Sequence, residues 1–311
     1  MRAFLFPGQG SQSVGMGAAL AEASRAARDV FGEVDEALGQ NLFRLMREGP
    51  DEELRLTENA QPAIMAHSIA VFAALTREGG VDLARAASFV AGHSLGEYSA
   101  LCAAGSFDLA TTAKLLKLRG QAMQQAVPVG QGAMAALLGA DLALARRIAE
   151  AAAQGEVCTV ANDNDPGQVV LSGHKGAIDR VVEMAKEMGA KRAVPLPVSA
   201  PFHCPLMQPA AEAMRDALSY VVVDDPAVPV FANVTAQPES DPDTIRNLLV
   251  EQVTGMVRWR ESIGNMVDAG VEEFVELGGK VLGPMVKRIA PDAQVRSLVA
   301  IEDVEALARE L

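Results

Sequence analysis

The feature that most constrains this chain is an apolar strand that ends in a glycine-bounded turn and reopens as a helix. Ala86-Ala87-Ser88-Phe89-Val90-Ala91 leads into Gly92-His93-Ser94-Leu95-Gly96, and Glu97-Tyr98-Ser99-Ala100-Leu101-Cys102 follows as the helix. A turn this sharp leaves no room for Cβ atoms at its flanks, so glycine stands there, and Ser94 is thrust outward at a helix N-terminus. A strand lying under its own following helix belongs to an α/β layer structure. The surrounding sequence agrees. Arg2–Phe6 reads as a strand closing in the turn Pro7-Gly8-Gln9-Gly10, with helical patterns at 16–47 and 60–78 and a strand near 86–91. This alternation predicts a mostly parallel sheet covered by helices.

Between 128 and 198 the rhythm changes. Gly132–Leu138 reads as a strand, 141–153 as an alanine-rich helix, and 156–161 and 168–172 as strands. The turn-forming run Asn162-Asp163-Asn164-Asp165-Pro166-Gly167 joins those two strands. A helix at 175–188 and a strand at 191–196 complete the order β-α-β-β-α-β of a ferredoxin-like unit. The expected organisation is a large α/β domain from 1–127 and 199–311, with a small ferredoxin-like domain, 128–198, inserted into it. Strands near 228–234, 272–277 and 294–299 resume the pattern of the large domain.

Aromatic residues make up only 4% of the chain, so the core must be built from Ala, Val, Leu, Ile and Met. No stretch approaches the roughly 20 uninterrupted apolar residues that span a bilayer. The run at the N-terminus meets Pro7 and Gly8 before it is long enough for a signal-peptide core. Cys102, Cys158 and Cys204 show neither CxxC pairing nor metal-ligand spacing. An odd, sparse set fits a reducing compartment and argues against a disulfide framework or a structural zinc site. A cytoplasmic protein without a metal is expected. The net charge of −13 argues against nucleic acid as a partner.

At the elbow, the backbone N–H of Leu95 and the helix dipole can stabilise an oxyanion beside Ser94. A bare G-x-S-x-G also arises by chance in loops; the strand-turn-helix setting is what favours a nucleophile. A serine hydroxyl needs a base, and there are four histidines. His67 lies inside the apolar helical run 63–75 and reads as packed. His93 adjoins Ser94, but its side chain should point away. His174 opens a helix in the inserted unit. His203, held in Pro197-Val198-Ser199-Ala200-Pro201-Phe202-His203-Cys204-Pro205, is the best base by elimination. None of the acids between Ser94 and His203 looks placed to orient it, and a backbone carbonyl could do so instead.

Arg119 is informative for a different reason. The helix 108–126 carries Lys114, Lys117, Gln121, Gln124 and Gln125 on one side, and Leu109, Ala113, Leu115, Leu116, Leu118 and Met123 on the other. Arg119 projects from the middle of the apolar face, where an unpaired guanidinium is costly and must meet an anion. A structural ion pair and a bidentate clamp for a substrate carboxylate both satisfy that need. The loop Gly8-Gln9-Gly10-Ser11-Gln12 lacks the phosphate-binding fingerprints and could equally supply an oxyanion-hole N–H.

Several blocks together resemble the malonyl-CoA:acyl carrier protein transacylases of bacterial fatty acid synthesis. They are FPGQGSQSVGMG at 6–17, TENAQPA at 57–63, GHSLGEYSAL at 92–101, LRGQAMQQAVPVGQGAM at 118–134, NDNDPGQVVLSG at 162–173, PVSAPFHCPLM at 197–207 and FVELGGKVLG at 274–283. The resemblance implies Ser94 as nucleophile, His203 as general base, the N–H groups of Gln9 and Leu95 as oxyanion hole, and Arg119 as clamp for the malonyl carboxylate. It implies that Gln252 supplies a carbonyl to hold the histidine. It also implies a hydrolase-like α/β fold with a ferredoxin-like insertion. Phe202 stands before the histidine where some members have Ser; in related polyketide acyltransferases Phe there accompanies an unbranched malonyl substrate.

The implied substrates are malonyl-CoA and the phosphopantetheine thiol of an acyl carrier protein, with no resident cofactor. A monomer would suffice. Lys114, Lys117, Lys175, Lys191, Arg192, Lys280, Lys287 and Arg288 are candidates for a basic patch that meets the carrier. A serine esterase or thioesterase shares the elbow, and the same transfer chemistry could serve a polyketide pathway.

Overall fold

In the computed structural model, which describes residues 1–311, alternate side chains of the strand β1 (Arg2–Phe6) enter two separate cores. Phe4 and Phe6 pack into the larger one, and Ala3 and Leu5 pack with Phe231, Trp259 and Phe274 in the other. A strand buried on both faces sits in the middle of a sheet covered by helices on each side. Its parallel neighbours are β2 (Phe89–Gly92) and, on the other side, a strand at Glu273–Leu277. Numbered along the chain, the remaining strands are β3 (Gly132–Leu138), β4 (Cys158–Asp165), β5 (Gln168–His174), β6 (Arg192–Pro195), β7 (Val230–Phe231), β8 (Pro238–Glu239), β9 (Glu273–Leu277) and β10 (Gln294–Leu298). The large sheet runs β10-β9-β1-β2-β7-β8, parallel except for β8 at its edge. No helix is long and apolar enough to cross a membrane.

The second sheet is antiparallel, in the order β4-β5-β3-β6. Helices Leu142–Ala153 and Lys175–Met184 cover one face, burying Ala145, Ile148, Ile178 and Val181 against Leu137, Val169 and Leu171. Residues of its opposite face, Met134, Ala136 and Val170, belong to the main core. The small sheet is therefore seated on the large one by apolar contact.

Three expectations are corrected. The helical stretch 16–47 is divided into Ala18–Ala23, Arg25–Leu38 and Leu42–Glu48, with Ser24 accepting from Ala27 N–H as an N-cap and Gly39 closing the second in a left-handed conformation. In the C-terminal part, only Val230–Phe231 of the stretch 228–234 is strand, and it pairs with an edge strand, Pro238–Glu239, that the sequence did not signal. Most consequential, the run 162–167 is not a six-residue turn. β4 continues to Asp165, and only Pro166 and Gly167 turn the chain into β5.

The reason lies outside the hairpin. Asn162 bridges to Val257, whose side chain packs with β1 and β9 of the large sheet, and Asp163 N–H donates to the Val257 carbonyl at 3.0 Å. The Asp163 carboxylate, only 2% exposed, meets Arg260 at 2.7 Å. Asn164 bonds His93 at 2.8 Å, and Asp165, 1% exposed, meets Arg288 at 2.8 Å. Four polar residues in succession tie the small sheet to residues around the large one, so their turn propensity is overridden by partners distant in sequence.

Arg260→Ala is expected to lower the urea unfolding free energy by about 2 kcal/mol, less than for a fully buried pair because Arg260 is partly exposed. Lys175→Ala, which removes the exposed pair with Asp179, should change it by under about 0.5 kcal/mol. Equal midpoints for the two variants would show that the Asp163 contact contributes nothing to stability.

Candidate active site

The glycines of the elbow are explained by what surrounds them. A Cβ on Gly92 would lie 1.8 Å from the Gly96 carbonyl oxygen, and one on Gly96 would lie 2.2 Å from that of Phe6. Ser94 itself has φ 54°, a left-handed conformation that costs a non-glycine residue about 1–3 kcal/mol. Hydrogen bonds hold it there. Its N–H donates to Asn233 Oδ1 at 2.8 Å, its carbonyl accepts from Gln252 Nε2 at 3.0 Å, and Asn233 Nδ2 donates to the Gly92 carbonyl at 2.8 Å. Because β1 and β2 are parallel neighbours, the loop after β1 lies beside the elbow, and His93 N–H donates to the Phe6 carbonyl at 3.0 Å.

His203 reaches the elbow from the other side. Its Nε2 lies 2.7 Å from Ser94 Oγ, and its Nδ1 lies 2.8 Å from the backbone carbonyl of Gln252. That carbonyl is in the last turn of the helix Pro242–Thr254, where the helix leaves carbonyls without an intrahelical donor. An acceptor at Nδ1 fixes the proton on that nitrogen and leaves the Nε2 lone pair facing the serine hydroxyl. Burial, and next the charge of Arg119, push the imidazole down to about 3. The ring is thus neutral at ordinary pH and able to accept a proton. No carboxylate orients it.

Arg119 occupies the remaining side of Ser94. From the helix Leu109–Ala126 its Nη1 donates to Gln61 Oε1 at 2.8 Å, and its Nη2 to Gln252 Oε1 at 2.8 Å and Ser94 Oγ at 3.2 Å. The guanidinium lies 5.6 Å from the centre of the Tyr98 ring, and its Nε has no protein partner. Arg119 is 1% exposed, yet no carboxylate lies within ion-pair distance. Burial pulls its pKa down, but a guanidinium keeps its proton. Leu118, read from the sequence as part of the apolar face, is 37% exposed, and Thr112 and Gly120 are buried in that helix.

Ser94, His203, Arg119, Gln9 and Leu95 line one cleft of about 320 Å3, together with Phe202, Met123 and Met134. Neither Gln9 N–H nor Leu95 N–H is used in the hydrogen bonds of the turns and loops. His93 shares this cleft rather than turning wholly away from it, with Nε2 held by Asn164. His67 is buried in the helix Thr57–Ala73, pushed down to about 4 by desolvation, and His174 accepts from Val157 N–H at the end of β5. Neither lines the cleft.

Three buried polar residues of this network were not foreseen: Gln61, Asn233 and Glu97. Glu97 Oε2 accepts from Asn233 N–H at 3.0 Å and from Gln252 Nε2 at 2.8 Å, and burial pushes its carboxyl up to about 7. Gln61 and Glu97 each interrupt an apolar helical run, the same signal that singles out Arg119. Asn233 follows a strand in an unremarkable loop and carried no such signal.

The arrangement brings together a hydroxyl, a neutral imidazole 2.7 Å from it, a guanidinium with no carboxylate in direct contact, and, in the same cleft, the unpaired N–H groups of Gln9 and Leu95. It matches a known pattern. The model of the acyl transferase domain family fits residues 3–280. The malonyl CoA-acyl carrier protein transacylase of Escherichia coli K12 is 45% identical over 288 residues, covering 92% of each chain. The acyl-carrier-protein S-malonyltransferase of Bartonella henselae superposes with a TM-score of 0.97 at 52% identity, over 99% of this chain and 98% of that one. A malonyl-transacylase solved in complex with a type II polyketide acyl-carrier protein superposes with a TM-score of 0.95 at 39% identity, over 100% and 99% of the two chains. This chain, an α/β protein with a mostly parallel sheet and a small antiparallel one, belongs to the malonyl CoA-acyl carrier protein transacylases within the acyl transferase domain family.

Proposed function

We infer that this enzyme moves a malonyl group from malonyl-CoA to the phosphopantetheine thiol of an acyl carrier protein, supplying fatty acid synthesis. The observation that carries the reading is Arg119: a guanidinium buried without a carboxylate partner, 3.2 Å from Ser94 Oγ. A malonyl group brings the missing negative charge to that position, and an acetyl group does not.

In the first step His203 Nε2 takes the Ser94 proton as Oγ bonds to the thioester carbonyl carbon. The N–H groups of Gln9 and Leu95 hold the resulting oxyanion. The C–S bond then breaks, and the proton on Nε2 passes to the departing sulfur of coenzyme A. In the second step the carrier thiol gives its proton to Nε2 and its sulfur attacks the malonyl ester. Oγ leaves and recovers the proton. These steps need no resident cofactor or metal. Positioning of the acyl chain by Arg119, in a cleft walled by Phe202, Met123 and Met134, favours a placed thiol over water. The names of the relatives likewise favour transfer over a thioesterase or hydrolase.

The complex of the related malonyl-transacylase with its carrier supports an acyl carrier protein as partner here. Among the eight cations considered for docking, Lys117 is paired with Glu58, Lys175 with Asp179 and Arg288 with Asp165, and Lys287 donates to the Pro291 and Ala293 carbonyls. Lys114, Lys191, Arg192 and Lys280 are exposed, and we assign the carrier's acidic surface to these. The catalytic groups all come from one chain, which supports a monomer as the working unit. The antiparallel sheet, with two helices on one face, supports reading 128–198 as a ferredoxin-like domain inserted between 1–127 and 199–311. Three unpaired cysteines support a cytoplasmic setting.

Three outcomes are expected. Brief mixing with malonyl-CoA should give a malonyl adduct on Ser94 by intact-protein and peptide mass spectrometry, and the adduct should pass to a carrier bearing phosphopantetheine. Decay to free malonate with or without carrier would make the enzyme a hydrolase. Arg119→Ala should lower kcat/KM for malonyl transfer by about 10²-fold or more and acetyl transfer far less, because an acetyl group has no carboxylate for the guanidinium to pair with. Equal losses would remove the clamp. Finally, the His203 ring signal in NMR should not titrate between about pH 8 and pH 5, because protonation of a ring with a lowered pKa begins only in stronger acid. A midpoint near the ordinary imidazole value of about 6.5 would show the ring open to solvent.

A further inference from the structure

We propose that Glu97 is a positioning residue for the substrate clamp: by accepting from the Gln252 amide, it holds the carbonyl end of that amide against Arg119. The inference rests on the proposed role of Arg119 as holder of the malonyl carboxylate.

The two ends of a glutamine amide are nearly the same size, and neighbours decide which points where. At one end Gln252 Oε1 accepts from Arg119 Nη2 at 2.8 Å. At the other, Nε2 has three acceptors: Glu97 Oε2 at 2.8 Å, the Ser94 carbonyl at 3.0 Å and Asn233 Oδ1 at 3.2 Å. Glu97 is the nearest and the only one able to carry charge, so its bond is the strongest of the three. The Asn233 oxygen is shared, since it also accepts the Ser94 N–H. Polarisation then runs in one direction along the chain Arg119–Gln252–Glu97, each donor strengthening the next.

Glu97 touches neither Ser94 Oγ nor His203, so it does not take part in proton transfer. It is 3% exposed and lies in the helix Gly96–Ala103, which the elbow itself begins. A buried acid kept there without an ion pair is poor packing, and aliphatic residues fill the same helix at Leu101 and Ala100. The same Oε2 receives the Asn233 N–H at 3.0 Å, so one oxygen steadies both residues that hold the elbow. Without it, Gln252 keeps only the two longer contacts, and one of the two amide oxygens that Arg119 meets at 2.8 Å is less firmly held. The malonyl carboxylate then meets a cation that is displaced or mobile, whereas an acetyl group does not use that cation at all.

The test compares kcat/KM for malonyl-CoA and acetyl-CoA at pH 8, above the carboxyl's value of about 7, in the full-length enzyme. Glu97→Met removes the acceptor at similar volume; loosening of the elbow should lower both transfers, and loss of the clamp should lower malonyl transfer about tenfold more than acetyl transfer. Glu97→Gln can present its carbonyl oxygen to the same two donors and should restore malonyl transfer to within about threefold of the original enzyme. Should Glu97→Met not fold, Glu97→Asp withdraws the carboxylate by one methylene and should give a malonyl-selective loss of about tenfold. Equal losses for the two substrates, no loss, or no recovery in Glu97→Gln would each overturn the proposal. Arg119→Ala run alongside separates the two readings. A malonyl-selective loss there without one at Glu97 sinks only the present inference, and its absence in Arg119→Ala sinks the clamp.

Discussion

Arg119 is surrounded by neutral acceptors and an aromatic ring, and much of the active site is arranged to hold its charge without cancelling it. Gln61 and Gln252 take one hydrogen bond each, Ser94 Oγ takes a third, and Tyr98 presents its ring. A direct carboxylate would satisfy the cation more fully and leave nothing for a substrate to complete. The unsatisfied part of this arrangement is what gives the cleft its proposed preference for a dicarboxylic acyl group. The same charge lies close enough to His203 to help keep the imidazole neutral. Proposed specificity and the neutral state of the proposed base thus share one source.

The elbow depends on that network as well. Ser94 and His203 both have left-handed φ values, 54° and 55°, in residues that are not glycine. Strain of this kind persists only where neighbours over-determine the backbone. Around Ser94 the restraint comes from Asn233 and Gln252, and both are tied to Glu97. At His203 it comes from the Gln252 carbonyl and from prolines on either side of the loop. Gln252 therefore meets Ser94, His203 and Arg119 with different atoms. A helix terminus suits this task, because its last carbonyls are free while its side chains are still rigidly placed.

Polar residues in apolar surroundings were the most readable signs in the sequence, though not all were read. Arg119 was conspicuous because a long cation on an apolar helix face has no cheap explanation. Glu97 and Gln61 carried the same signal more weakly, since one stands beside a motif and the other beside a proline. The run 162–167 is misleading for the opposite reason. Asn and Asp favour turns when nothing else binds them, and here His93, Val257, Arg260 and Arg288 do. Those partners lie between 71 and 123 positions away in sequence, for the side-chain contacts of Asn164 with His93 and of Asp165 with Arg288. No local pattern could have announced them.

By itself the sequence determined the local chemistry: a turn too tight for Cβ atoms at Gly92 and Gly96, a serine presented at its apex, and alternating elements that commit the chain to a parallel sheet. These follow from sterics and periodicity, which act over a few residues. Only the tertiary structure decided which histidine faces Ser94, that a backbone carbonyl rather than an acid orients it, and that the buried cation has no carboxylate in direct contact. Each of those depends on side chains brought together from the ends of different strands and helices, through contacts as distant as the 109 positions between Ser94 and His203. Spacing in sequence says nothing of such distances until the sheet has fixed the order of its strands.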